Sequence, residues 1–529
     1  MFRPYEQNQT FLLPPSLNDF VDESHPARMI NDLVDRLDLS ALVNRYGPMG
    51  QPPYYPGMMV KVILYGFSVG TFSSRKLQRA CQENLAFKYL AGMQTPAFKT
   101  FIEFRKRHRE DMKAVFVQTV KLARELGLAK LGAVALDGCK LAADTSKHKA
   151  MSYGRMLEEE KKLKAEIEDL LKKADETDAM EDEENGPGDD GYRLSEELAR
   201  REKRLAKIEA AKKALEEREK RDNPGKPIDP QKQISFADHD ARCHSKKSDG
   251  TQYVYNAQAA VDMGSQVIVE NHIEDSVTDA QAAEPALDNM QQDLGVVPDR
   301  LVADAGYGNK NTLETCEEHK VTPVCATARE GKDGGASGKL DKFDYDRAQD
   351  RFVCPHGQVF EFDHENAKDG QRVYRSQRVM SCGCGNYANR DGRGMIGVSA
   401  GHSAKRTLRR IMEEPGHQDI YCRRKCTVEP VFGQIQVGMG FHRFFYRGRE
   451  KVGSEWNLVC AAFNVKKVAA LLQAGRGVAN QKLERALLCP DTVGCGLRAV
   501  ARWTAHLRHL LDDVIDSIPR PGIRFAFGV

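Results

Sequence analysis

Apolar residues recur at helical spacing from residue 25 to about 125. HPARMINDLVDRLDLSALVNRYG (25–47) places Leu33, Leu37, Leu39 and Leu42 near one helical face before Gly47 and the Pro52-Pro53 pair break the chain. YPGMMVKVILYGFSVG (55–70) is apolar almost throughout, the pattern of a buried helix. SSRKLQRACQENLAFKYLAGM (73–93) offers Ser73 or Ser74 as an N-cap, and TPAFKTFIEFRKRHRED (95–111) predicts a helix starting after Thr95 with Pro96 at its first position. Short helices with short turns, the last ending in Arg105, Lys106 and Arg107, fit a helix-turn-helix-like DNA-binding unit or an ordinary helical bundle.

The period changes at LGAVALDGCKLAAD (131–144), a β-type apolar run leading into Asp137-Gly138. From 155 to 221 the composition turns to Glu, Lys, Ala and Leu. Leu163, Ile167 and Leu170, then Leu194, Leu198, Arg201, Leu205, Ile208, Lys212 and Leu215, keep steps of three and four on either side of an acidic break. This predicts an antiparallel helical hairpin inserted into a globular domain, read as a solvated spacer. QYVYNAQAAVD (252–262) and SQVIVENHIE (265–274) predict a β-hairpin around Met263-Gly264. A helix containing Ala282, Leu287 and Met290 leads to PDRLVADAGYG, a buried strand ending at Asp304, and then to the strand VTPVCAT. Residues 330–400 read as a small-sheet or irregular insert. The stretch 426–448 reads as a helix presenting Val428, Val431, Phe432 and Ile435 to a core, with Glu429 as its one carboxylate. The last stretch, 475–529, carries no readable motif.

Composition narrows the function classes. The 529 residues exceed a single core. The 79 basic against 76 acidic residues leave a net charge of +3, so binding to a polyanion must come from local basic patches. No signal-peptide pattern and no long uncharged apolar window are evident, so the expected location is the cytoplasm, with no membrane partner. Thirteen scattered cysteines imply reduced thiols.

Two acids close apolar strands in this reading, Asp137 and Asp304, and a third, Glu429, sits on a buried-face helix. Convergence of three carboxylates requires cations to neutralise it. Oxygen donors without His or Cys favour Mg²⁺ or Mn²⁺, the ions of phosphodiester chemistry.

With these residues in view, the chain resembles a bacterial insertion-sequence transposase of the DDE type. The matching stretches are YYPGMMVKVILYGFSVGTFSSRKLQ with TPAFKTFIEFR, LDGCKLAAD, DHDAR with YVYNAQAAVD, LVADAGYG, and VEPVFGQIQVGMGFHRFFYRG with EWNLVCAAFNVKKV, together spanning about residues 20 to 472. The resemblance implies an α/β fold: a ribonuclease H-like catalytic domain over 126–472, interrupted by the hairpin 155–221 and the β-rich insertion 330–400. An N-terminal segment 1–24 and an all-helical DNA-binding domain 25–125 precede it, and a tail 473–529 follows. It implies a metal-dependent DNA transposase that binds terminal inverted repeats, cleaves there and joins the 3′-hydroxyl ends to target DNA, as a homodimer when two ends are paired. The alternative is a decayed or repurposed transposase that only binds DNA.

Carried over residue by residue, Asp137, Asp304 and Glu429 match the catalytic metal-binding acids, with Asp144 and Asp262 ranked below them. Tyr421 and Arg424 match the family's Tyr and Arg upstream of the Glu, with one extra residue before the acid. Gln436 stands where the family has a basic residue. Arg105, Lys106, Arg107, Arg443, Arg447, Arg449 and Lys451 are the remaining candidate DNA contacts. Phe444, Phe445 and Tyr446 suit either base stacking or packing. Cys354, Cys382 and Cys384 resemble a cysteine cluster of relatives, but CxC matches zinc spacing poorly, so free thiols are the expectation.

Overall fold

The computed structural model describes residues 16–47, 52–185, 196–246, 250–327, 343–346, 348–366, 371–376 and 394–487. They fall into two compact units, one through Val465 and one from Lys466 onward, whose described part is helical.

The N-terminal part is helical, as its periodicity requires: α1 (Pro26–Asp35), α2 (Ser40–Val43), α3 (Pro56–Ser68), α4 (Ser74–Glu83), α5 (Leu85–Leu90), α6 (Phe98–Arg107) and α7 (Asp111–Glu125). The apolar α3 is buried over nearly its whole length. Helix α6 begins at Phe98, not directly after Thr95. Its first amide is taken by the Gln78 side chain of α4 at 2.8 Å, so a neighbouring helix caps it in place of the Thr-Pro pair.

Next come β1 (Ala133–Ala142), β2 (Ala150–Ser152), the hairpin α8 (Tyr153–Asn185) and α9 (Glu196–Asp222), and β3 (Gln233–Ser235). The hairpin is not only a solvated spacer. Met156, Leu163, Ile208, Ala211 and Leu215 bury themselves with Ile234 of β3, so its base is the core under the β2–β3 ribbon. Leu194 lies outside the described residues.

The main sheet is completed by β4 (Arg242–Lys246), β5 (Gly250–Asp262), β6 (Ile268–Glu274), β7 (Arg300–Ala303) and β8 (Thr322–Cys325), with α10 (Ala283–Leu294) and α11 (Lys310–Glu318) between strands. Its order is β4-β5-β1-β7-β8, with β6 also pairing β5. Strand β5 runs antiparallel to both β6 and β1, whereas β1, β7 and β8 are parallel. A separate five-stranded antiparallel sheet follows, β9 (Asp344–Asp346), β10 (Arg351–Val353), β11 (Val359–Asn366), β12 (Gln371–Ser376) and β13 (Gly394–Ser399). Cys354 is buried in its core with Phe352, Phe360 and Tyr374; Cys382 and Cys384 lie outside the described residues.

Helices α12 (Ala400–Glu413) and α13 (His417–Gly433) return to the main sheet, α13 running into a π turn over Gln434–Gly438. The last helix is α14 (Arg449–Leu487). Its stretch Arg449–Gly475 is long and apolar enough to cross a membrane by length and composition, which the sequence reading did not anticipate. More than half of its most apolar 18-residue window is buried, with Trp456, Val459 and Cys460 fully covered, as in a core helix.

Candidate active site

Strand β1 carries the site because it is the junction of the antiparallel and parallel halves of the sheet. Asp137 lies inside this strand and does not end it: β1 continues to Ala142 because β5 pairs with it along its length, Asp137 opposite Ala259. The parallel partner β7 is shorter. Its register, Ala135 beside Val302, extended by two residues sets Asp304 beside Asp137 on one sheet face. The Gly306 amide donates to Asp304 Oδ1 at 2.7 Å and the Gly138 amide to Asp137 Oδ1 at 2.9 Å.

Helix α13 covers this face with Arg424, whose Nη1 donates to Asp137 Oδ2 at 2.9 Å. Burial pushes the Asp137 carboxyl up from its ordinary range. The Arg424 guanidinium and the Gly138 amide oppose the shift, and the negative charges of Asp304 and Asp279 add to it. Tyr421 faces the Arg424 guanidinium at 5.9 Å, its phenol pushed up by burial.

Glu429 is exposed on α13 and does not join the two aspartates. Five residues at 100° each put it about 140° around the helix from Arg424, so the buried face presents the arginine. Val428, Val431 and Ile435 are buried as expected, and Phe432 is half-buried. Within the π turn, Gln436 Nε2 meets Cys139 Sγ at 2.8 Å, two residues along β1 from Asp137. Among the described residues no three His, Cys, Asp or Glu side chains group closely enough to hold a metal. The Asp137–Asp304 pair nevertheless fits a hard dication: Mg²⁺ commonly uses one or two carboxylates and keeps several waters.

Asp144 accepts from Arg443 at 2.5 Å and from Arg447 at 2.9 Å, so those cations are anchored to the end of β1 while remaining about half exposed. Asp262 is buried, and its carboxylate takes the amides of Leu131, Gly264 and Ser265, a turn-fixing role. Asp238 accepts from Tyr255 Oη and the Gly448 amide, and Asp240 from the Arg449 amide. These bonds join the DHDAR stretch to the end of FFYRG and the residue after it. Arg449 also reaches the Ile273 carbonyl, and Lys451 is exposed.

Arg105 turns inward instead of toward solvent. It donates to Ser74 Oγ and lies over the Tyr446 ring at 5.7 Å, while Lys106 and Arg107 are exposed. Phe444 is fully buried against Phe441 and Trp456, so it packs and is not open to a base; Phe445 is half exposed.

Sequence reading missed a polar group on the opposite face of β1: Lys140, Asn256, Gln258 and Asp279. Lys140 Nζ, Asn256 Nδ2 and Gln258 Nε2 all donate to the Asp279 carboxylate at 2.7 to 2.8 Å. Asn256 and Gln258 alternate within the otherwise apolar and aromatic run YVYNAQAAV, which was the available signal.

It also missed Glu455, buried on α14, which accepts the amides of Phe445 and Tyr446 at 3.0 and 3.2 Å. Burial pushes its carboxyl up to about 7 against the pull of those amides, from an ordinary 4.5. Between these values the folded protein keeps a proton that the unfolded chain has lost. This contribution to stability is therefore complete below about pH 4.5 and falls as pH rises toward 7. Urea unfolding should show wild type losing stability relative to Glu455→Gln by on the order of 2 kcal/mol between pH 5 and 8. Parallel pH profiles for the two proteins would refute this.

Two family models match the chain. The one described as Transposase domain (DUF772) covers residues 15–107, and the one described as Transposase DDE domain covers 224–465. Together they span more than half of the residues, Asp304 and Glu429 included, whereas β1 and Asp137 lie between the two matches. By class the protein is a DNA transposase with a mixed α/β catalytic region and a helical N-terminal part. The chain belongs to the DDE transposases of insertion sequences.

No curated protein matches it. Among solved structures, a cryo-electron microscopy structure of a piggyBac transposase synaptic complex with hairpin DNA aligns over 95% of this chain and 87% of that one. Its identity is 10% and its TM-score 0.27, too low to carry any argument.

Proposed function

We propose that this transposase cuts DNA at the terminal inverted repeats of its element and joins the freed 3′-hydroxyl ends to target DNA, using Asp137, Asp304 and Glu429 as the acids that hold Mg²⁺ or Mn²⁺. The observation that carries the reading is the register that sets Asp137 and Asp304 side by side where the parallel and antiparallel halves of the sheet meet. The strand order supports a ribonuclease H-like core with the hairpin and the β9–β13 sheet as insertions.

Divalent cations, when bound, neutralise the scissile phosphate and lower the pKa of the attacking water. Asp137 and Asp304 offer the paired oxygens. Glu429, on the exposed flank of α13, completes the set only once that helix turns this flank toward the aspartates on binding metal and DNA. Arg424 orients the Asp137 carboxylate and Tyr421 backs the guanidinium. Arg443 and Arg447, anchored on Asp144, line up with Arg449 and Lys451 as phosphate contacts. Two chains, one per end, form the working complex.

The deciding experiment incubates the full chain with duplexes ending in the element's inverted repeats. End-specific cleavage that leaves a 3′-hydroxyl and requires Mg²⁺ or Mn²⁺ is expected. No cleavage with either ion would overturn the reading.

End binding is assigned to Lys106 and Arg107, the exposed members of their cluster. Replacing both with Ala should reduce the salt dependence of affinity by roughly 0.9 log units of slope per lost contact. Arg105→Ala, by contrast, should lower thermal stability, because that side chain ties α4 and Tyr446 to α6. An unchanged slope in the double variant would remove the assignment.

A further inference from the structure

We propose that Asp279, Gln258 and Tyr307 form a positioning relay that holds the Asp304 turn in register with Asp137 from the opposite face of the sheet. The inference rests on the metal-dependent reading above and deepens it. None of the three is proposed to touch DNA; each acts through its neighbour.

Successive residues of β1 face opposite ways, and Gly138 faces away from Arg424. A Cβ there would lie 2.2 Å from Gln258 Nε2 and 2.7 Å from both Asn256 Oδ1 and Asp279 Oδ1. The strand is thus pressed directly onto the polar group next to Asp137, which accounts for glycine at this position.

The hydrogen bonds have one direction only. Asp279 is an acceptor, so Gln258 must turn its Nε2 toward it, at 2.7 Å, and toward Asn256 Oδ1, at 2.9 Å. That leaves Gln258 Oε1 to accept, and it takes the Tyr307 hydroxyl at 2.5 Å. Tyr307 is fully buried, and burial keeps its phenol protonated and able to donate. Its own amide donates to the Asp304 carbonyl at 3.2 Å, closing the turn that displays the Asp304 carboxylate. The charge on Asp279 therefore fixes the orientation of an amide, and the amide fixes the tyrosine behind Asp304.

An uncharged amide at position 279 would present a donor as well as an acceptor to Gln258. Gln258 could then turn over and offer Tyr307 a donor where it needs an acceptor. Asp279→Asn should disturb the Asp304 turn without touching it.

The test measures, for the full chain, the Mg²⁺ concentration giving half of the maximal rise in melting temperature, and separately the affinity for a repeat-bearing duplex without Mg²⁺. Tyr307→Phe deletes one oxygen. It is expected to raise the half-saturating Mg²⁺ about tenfold, as loss of a supporting hydrogen bond behind a metal ligand does, with DNA affinity unchanged. Asp279→Asn should act in the same direction. Combining Asp279→Asn with Gln258→Glu moves the carboxylate one step along the chain, restores an acceptor for Tyr307, and should recover part of the loss. Leu215→Ala, at the distant hairpin base, is the control for simple destabilisation and should leave the Mg²⁺ requirement unchanged.

A wild-type Mg²⁺ requirement in both single variants would overturn the relay. So would loss of all Mg²⁺ response in Asp279→Asn alongside normal behaviour of Tyr307→Phe, which would make Asp279 a ligand. A wild-type protein indifferent to Mg²⁺ would instead overturn the proposed function, and the relay with it.

Discussion

Asp137→Asn, Asp304→Asn and Glu429→Gln are each expected to slow end cleavage by about a thousandfold or more while leaving DNA-end binding intact. Each replacement keeps the shape of the side chain and removes the charge that attracts a hard cation. Mg²⁺ should raise the melting temperature of wild type more than that of any variant, because a ligand stabilises the fold in proportion to its affinity for it. Glu429→Gln is the most informative of the three. Glu429 is exposed, so its replacement should not change metal-free stability, and a dead variant would then report chemistry alone. Asp144→Asn is the control: Asp144 anchors Arg443 and Arg447, and its loss should weaken that anchor without stopping cleavage. Near-normal cleavage by Asp137→Asn would refute the assignment of the first acid.

Trp456→Ala is expected to cost about 3–5 kcal/mol of stability, the range for emptying a large aromatic site in a core. The indole is fully buried against Phe441 and Phe444, and its Nε1 donates to the Gln258 carbonyl at 2.9 Å. It thereby pins α14 and the loop after the π turn onto β5. Trp456→Phe keeps much of the packing and should cost less. Urea unfolding monitored by circular dichroism would measure both, and a loss below about 1 kcal/mol for Trp456→Ala would mean that the site collapses around the smaller residue.

The sequence by itself determined the helical N-terminal part, the hairpin, the strands around Asp137 and Asp304, and the helix carrying Glu429. These depend on the spacing of apolar residues, which reflects local geometry. It also determined the family, through motifs whose order along the chain is itself the signal. The neighbours of each motif residue were decided only by tertiary structure. Whether Arg424 or Glu429 faces the aspartates depends on how α13 is rotated against the sheet, and Val428, Val431 and Ile435 set that rotation by burying themselves together. Arg105 reads as a surface cation until α4 and Tyr446 are seen to enclose it. Lys140, Gln258 and Asp279 come from three segments as much as 139 residues apart, and nothing local marks them as partners. Their association is fixed by strand register. A one-residue slip of β5 against β1 would turn Gln258 to the other face, and only the packing of the whole sheet forbids that slip.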